Sequence, residues 1–152
     1  MIRSILKATG VLALALLAGA PAFADNPGKH PYYLHALSDL RDARAHLEHL
    51  SSDPVDHAEE RAIKSIDEAI GELKRAAIDD GKDIHDHKPV DAHLKRTDRF
   101  HKAIELLDKA QQDCSHPEEQ ADTKGLQERI IRHIEEARRE TRHIIETVLK
   151  NS

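Results

Sequence analysis

Twelve of the 152 residues are histidine, well above ordinary usage. Neutral imidazole together with carboxylate is a fitting ligand set for the divalent transition metals Zn, Cu or Ni. His85-Asp86-His87 places two imidazoles around one carboxylate, and His30, His35 and His93 are further donors if the fold gathers these segments. A second pattern runs through His35, Asp39, Asp42, His46 and His49, spaced 4, 3, 4 and 3. Residues at i+3 and i+4 are neighbours on a helix, so His46 and His49 form a candidate exposed two-histidine site. Such a site would bind weakly and exchange freely; a solvated face that happens to use His is the plainer reading of the stripe. His93 shares a helical side with Phe100, Ile104 and Leu107, and His133 sits at the edge of an apolar stripe. For both, a hydrogen-bonded core histidine is the expectation.

Enzyme chemistry finds little footing. A carboxylate-bridged di-iron bundle needs two Glu-x-x-His motifs and two further Glu. Here Glu140-Thr141-Arg142-His143 is the one such motif, and Asp98-Arg99-Phe100-His101 is an imperfect partner. Cys-x-x-Cys-His is absent, which excludes covalent c-type haem, and Tyr32, Tyr33 and Phe100 would line a bis-histidine haem pocket thinly. No Gly-rich phosphate loop and no nucleophile–base pair rises above chance.

These candidates depend on what positions them. Arg3 and Lys7 precede an apolar run, Val11 to Ala18, too short to span a bilayer, and Ala22-Phe23-Ala24 offers a small-x-small cleavage site. The reading is a signal peptide over 1–24, an N-terminal extension over 25–31 and a bundle over 32–150, with a periplasmic or secreted mature chain. Losing two cations and no anion moves the net charge from −5 to −7. Protonating all twelve histidines would carry it to +5, across the range where imidazole titrates. This charge excludes a polybasic nucleic-acid module. The composition likewise excludes a multi-span membrane protein and membrane insertion of the mature chain. No protein partner is indicated, and a homo-oligomer stays open. Cys114, the single cysteine, cannot form an internal disulfide and falls on an apolar stripe, where a free Cys packs as a small hydrophobe.

Four apolar periodicities of alternating 3 and 4 follow one another, the signature of amphipathic helices. They run Tyr33-Leu37-Leu40-Ala43-Leu47-Leu50, Ala62-Ile66-Ala69-Leu73-Ala76, Phe100-Ile104-Leu107-Ala110-Cys114 and Ile130-Ile134-Ala137-Thr141-Ile144-Val148. Asp53-Pro54 reads as a helix start and Asp80-Gly81 as a helix end. Pro89 and Asp91 precede the third helix, and Ser115 to Glu118 has the spacing of a capping box. The spacing predicts helices over 32–50, 54–80, 91–114 and 122–150. Shifting by 67 superposes Tyr33 on Phe100, Leu37 on Ile104, Leu40 on Leu107 and Ala43 on Ala110. Shifting by 68 superposes Ile63 on Ile131, Ile66 on Ile134, Glu68 on Glu136 and Ala69 on Ala137. The fold class is therefore all-α: an antiparallel up-down-up-down four-helix bundle, with the pattern of a duplicated αα-hairpin. In that order one pole collects His30, His35, His85, His87 and His93.

The segments His30-Pro31-Tyr32-Tyr33-Leu34-His35-Ala36-Leu37-Ser38-Asp39-Leu40-Arg41 and Ala77-Ile78-Asp79-Asp80-Gly81-Lys82 resemble a group of small, uncharacterised exported bacterial helical proteins. The resemblance implies a periplasmic bundle and carries over no catalytic or ligand residue. Three functions fit these residues. The first is a non-catalytic, His-rich periplasmic bundle binding a divalent transition metal as buffer or sensor. The second is a pH-responsive structural or chaperone-like protein without a dedicated ligand, and the third is an interaction module.

Overall fold

The structure is a computed structural model and describes residues 32–48, 56–79, 94–117 and 121–150. Four helices make up these residues: α1 (Tyr33–Leu47), α2 (Asp56–Asp79), α3 (Arg96–Cys114) and α4 (Ala121–Lys150). Each follows its stripe. Tyr33, Leu37, Leu40, Ala43 and Leu47 of α1 are buried, as are Ala62, Ile66, Ala69, Leu73 and Ala76 of α2. On α3, Phe100, Leu107, Ala110 and Cys114 are buried, with Ala103 and Leu106 beside them. On α4 the buried set is Ile130, Ile134, Ala137, Thr141 and Ile144. Alanine at so many inward positions keeps the side chains between helices short and lets their axes approach. Thr141 lies within an otherwise apolar stripe because its hydroxyl donates to the Ala137 carbonyl at 2.8 Å, which removes most of the cost of burying it.

The direction of the helices is read from their cross-links. Tyr32, at the start of α1, stacks on His116, just past the end of α3. At the opposite end, Arg99 near the start of α3 donates to the carbonyl of His46 near the end of α1. These two helices are therefore antiparallel. Arg61 pairs with Glu140 and Glu72 with Arg129, so α2 and α4 are antiparallel as well. Gln111 pairs with Glu135 and Asp108 with Arg138, which makes α3 and α4 antiparallel in turn. The main packing is α1 on α3 and α2 on α4, with lesser α3–α4 and α1–α2 contacts.

These pairings correct the expected up-down-up-down order. In that order α1 and α3 would be parallel; here the sequence of directions is up-down-down-up, and the ring runs α1, α2, α4, α3. The expectation rested on short connections reversing the chain. The connection between α2 and α3 is instead residues 80–95, and sixteen residues can reach roughly 50 Å when extended. That exceeds the ~28 Å rise of the 19-residue α3, so the chain can return along the bundle before α3 begins.

Two boundaries also move. Leu94 and Lys95 are not helical, so α3 starts at Arg96, later than the spacing predicts. Ser115 does not open a capping box: it is the C-cap of α3, and its hydroxyl donates back to the Gln111 carbonyl at 2.6 Å. The Asp53-Pro54 and Asp80-Gly81 signals and the proposed signal peptide lie outside the described residues. Among the described residues, no helix is long and apolar enough to cross a membrane.

Candidate functional site

The helix directions divide the histidines between two ends. The first, the His35 end, holds the start of α1, the end of α2, the end of α3 and the start of α4. His35 and His116 are both exposed there. The second, the His46 end, holds the end of α1 and the start of α3, with His57, His101 and His143 exposed around it. His30, His85, His87 and His93 lie outside the described residues. The topological reason for gathering them is gone, because the α3 N-terminus that follows His93 is at the opposite end from His35. His49 is also outside the described residues. Among the described residues, no group of three or more His, Cys, Asp or Glu is arranged to hold a metal ion.

His46 is a direct correction. It is 5 % exposed and so belongs to no surface pair. Its position, three residues after Ala43 and beside Leu47, turns it toward α3. There the guanidinium of Arg99, a residue itself buried, donates to the His46 carbonyl at 3.1 Å. The last carbonyls of a helix lack partners within the helix, so this cation satisfies one of them and lies at the favourable end of the α1 dipole. Arg99 also lies 6.0 Å from the Phe100 ring centroid. Glu59, close to the start of α2 and fully buried, brings a third ionisable group to the same end. An imidazole, a guanidinium and a carboxylate from three helices are thus sequestered at one end of the bundle.

The periodicity held a signal for two of them. Glu59 begins the series 59, 62, 66, 69, 73, and Arg99 begins 99, 103, 106, 110, each continuing a buried stripe by one turn.

At the other end a shallow cleft of about 440 Å³ opens between α1 and α3, lined by His35, Ser38, Asp39, Lys109, Gln112 and Asp113. Asp39 has its carboxyl pushed above the usual carboxylate range, first by burial and then by the Asp113 charge facing it. Lys109 offsets this only in part, because it is engaged by Glu105 at 2.9 Å. Lys109 and Lys102 together hold the Glu105 carboxyl down to about 2. The Tyr32–His116 stack, with centroids 3.6 Å apart and planes 11° from parallel, lies at the same end of α1 and α3. Gln127 of α4 fixes that corner by donating to the carbonyls of Cys114 and His116 at 2.7 and 2.6 Å. His116 and Asp113 escaped the sequence reading because their proximity to α1 depends on helix direction.

His133 meets its expectation only in part: it faces α2, but its Nδ1 makes no hydrogen bond. It is half-buried between α4 and α2, its Nδ1 3.0 Å from the Glu68 carboxylate. Cys114 forms no disulfide and is buried among the apolar side chains of the core.

No protein-family model matches the chain, and neither the curated proteins nor the solved structures compared with it give a match.

Proposed function

We propose that the mature chain works outside the cytoplasm, in the periplasm or beyond, as a non-catalytic helical bundle whose charge and end-to-end packing respond to pH. The burial of His46 beside the Arg99-capped end of α1 is the observation that carries this reading. Imidazole is the side chain that ordinarily changes charge between pH 5 and 8, and placing a new charge in a buried position is costly unless it is matched. Acidification would add positive charge at His46, where Arg99 is already positive. The expected response is a loosening of the α1–α3 contact, in line with the swing of the mature chain from −7 toward +5.

Far- and near-ultraviolet circular dichroism between pH 7 and 4.5 tests this, with His46→Gln beside the parent chain. The expected result is a loss of near-ultraviolet signal that His46→Gln displaces to lower pH. Tertiary signal and assembly state unaltered across the range would eliminate the reading.

A second reading is capture of Zn, Cu or Ni: the cleft is lined by one imidazole and two carboxylates, His35, Asp39 and Asp113, and these three are not placed to hold an ion as they stand. These side chains would have to draw together to coordinate, so binding would be weak and exchangeable. Calorimetric titration with Zn²⁺, Cu²⁺ and Ni²⁺ separates the candidates: His35→Ala should abolish binding at the cleft, and His85→Ala with His87→Ala should leave it in place. Heat of binding absent for all three ions ends the metal reading.

A further inference from the structure

The two halves of the chain correspond more closely in space than in sequence. Shifting α1 by 67 and α2 by 68 superposes not only residue types but contacts. The Arg61–Glu140 pair, 2.9 Å, becomes Arg129–Glu72, 3.2 Å. The Arg44–Asp67 link between α1 and α2 becomes the Gln111–Glu135 link between α3 and α4. Ala36, Leu40 and Ala43 coincide with Ala103, Leu107 and Ala110, and Ile66 and Ala69 with Ile134 and Ala137; all ten are fully buried. Tyr33 coincides with Phe100, and these two aromatic residues are both buried in the core. The packing is reciprocal too: α1 lies chiefly on its counterpart α3, and α2 on its counterpart α4. Residue i of one hairpin meets j of the other while the equivalent of j meets the equivalent of i. That reciprocity is the mark of an isologous, two-fold interface.

We infer that the chain is a covalently joined pair of equivalent hairpins, α1–α2 and α3–α4, and that a second copy of this chain can supply either hairpin in trans. The up-down-down-up order is one that this equivalence allows. A two-fold axis across the bundle sets each helix antiparallel to its counterpart, and a long connection must then carry the chain from the His35 end back to the His46 end. In the parent chain that connection lets the hairpins of one copy close on each other, because joining them raises their effective concentration. What decides between closure and exchange is the length of residues 80–95, not the chemistry of the interface.

The connection must cover about the length of α3, ~28 Å for its 19 residues. Deleting residues 82–91 leaves six connecting residues, which reach at most ~20 Å and cannot close the bundle within one copy. Size-exclusion chromatography with light scattering on the full mature chain and on this deletion is the test. The deletion is expected to be dimeric or larger with the helix content of the parent. A one-to-one mixture of deletion copies carrying Arg61→Cys and Glu140→Cys, both in a Cys114→Ala background, should cross-link between copies with a short bis-maleimide. A helical monomer, or a deletion variant that loses its helix, overturns the inference.

The parent-length chain gives an independent check through a protease site placed between Lys88 and Pro89. After cleavage the halves should stay together, and labelled and unlabelled nicked protein, unfolded and refolded as a mixture, should yield hybrids. Halves that separate under native conditions overturn the inference equally.

Discussion

Replacing Arg99 by alanine probes the least apolar part of the core. Arg99 is 6 % exposed, and its guanidinium donates to the His46 carbonyl at 3.1 Å. A hydrogen bond to a charged group contributes about 1.5–3 kcal/mol, and removing the donor leaves a buried acceptor unsatisfied. A cation at a helix C-terminus adds about 0.3–1 kcal/mol. The Phe100 ring centroid, 6.0 Å away, is at the limit of useful cation–π distance, so nothing is counted for it. The expected loss for Arg99→Ala is therefore ~2–4 kcal/mol, a large share of the stability of a domain this size. With a urea m-value of about 1–3 kcal/mol/M, the unfolding midpoint should fall by roughly 1–2 M, read by far-ultraviolet circular dichroism. Arg99→Met separates packing from charge, since it keeps the apolar stem but leaves the carbonyl unpaired; Arg99→Lys keeps the charge and loses the planar fork. The expected order of loss is Ala, then Met, then Lys. Amide exchange in the last turn of α1 should quicken in the Ala and Met variants. Buried charges can be replaced by apolar groups at little cost. Arg99→Met with a midpoint equal to the parent would therefore refute the claim that this cation holds the end of α1.

Four other outcomes are expected. Double-mutant cycles on Arg61–Glu140 and on Arg129–Glu72 should each give about 0.2–1 kcal/mol, typical of partly exposed pairs, and the two values should agree closely if the hairpins are equivalent. The Arg129 guanidinium holds the Glu72 carboxyl below its ordinary value of 4.5. Its contribution is therefore present above that pH and lost as pH falls through the lowered value, so Glu72→Gln should be destabilising at pH 7 and neutral in strong acid. Asp39 behaves with the opposite sign. Burial and Asp113 raise its carboxyl above 3.8, so the folded state holds the proton more tightly and loses stability as pH rises through that window. Asp39→Asn should raise the urea midpoint at pH 7 and lose the advantage near pH 4; a lower midpoint at pH 7 would contradict the burial argument. Cys114 should resist thiol reagents in the native protein and react in urea, and Cys114→Ser should cost ~1–3 kcal/mol for burying a hydroxyl.

The sequence revealed which residues face inward and concealed which way the helices run, and both facts have the same cause. A stripe such as Phe100-Leu107-Ala110-Cys114 is a property of one helix, so a period of 3.6 reports it whatever lies opposite. That period is unchanged when the helix is reversed end for end. Direction enters only through the connections, where residues 80–95 are long enough to permit either order. The histidine pole was therefore an inference about direction expressed as one about chemistry. Once α3 is reversed relative to α1, His116 and Asp113 come to His35, and the start of α3 moves to the His46 end. His46 shows a second limit. Its helical phase placed it with His35, Asp39 and Asp42, yet Asp39 is itself half-buried and His46 is enclosed by α3. A ring of four Ala-lined helices covers a wider arc of each helix than the leucine and isoleucine positions mark. The repeat shows which helices are equivalent and leaves their relative direction open. Two equivalent hairpins related by a two-fold axis across the bundle must set α1 against α3 and α2 against α4 in antiparallel pairs. Superposing Leu40 on Leu107 and Ile66 on Ile134 is met equally by an up-down-up-down bundle, whose two-fold axis would run along the helices; the Tyr32–His116 and Arg99–His46 links select the axis across them.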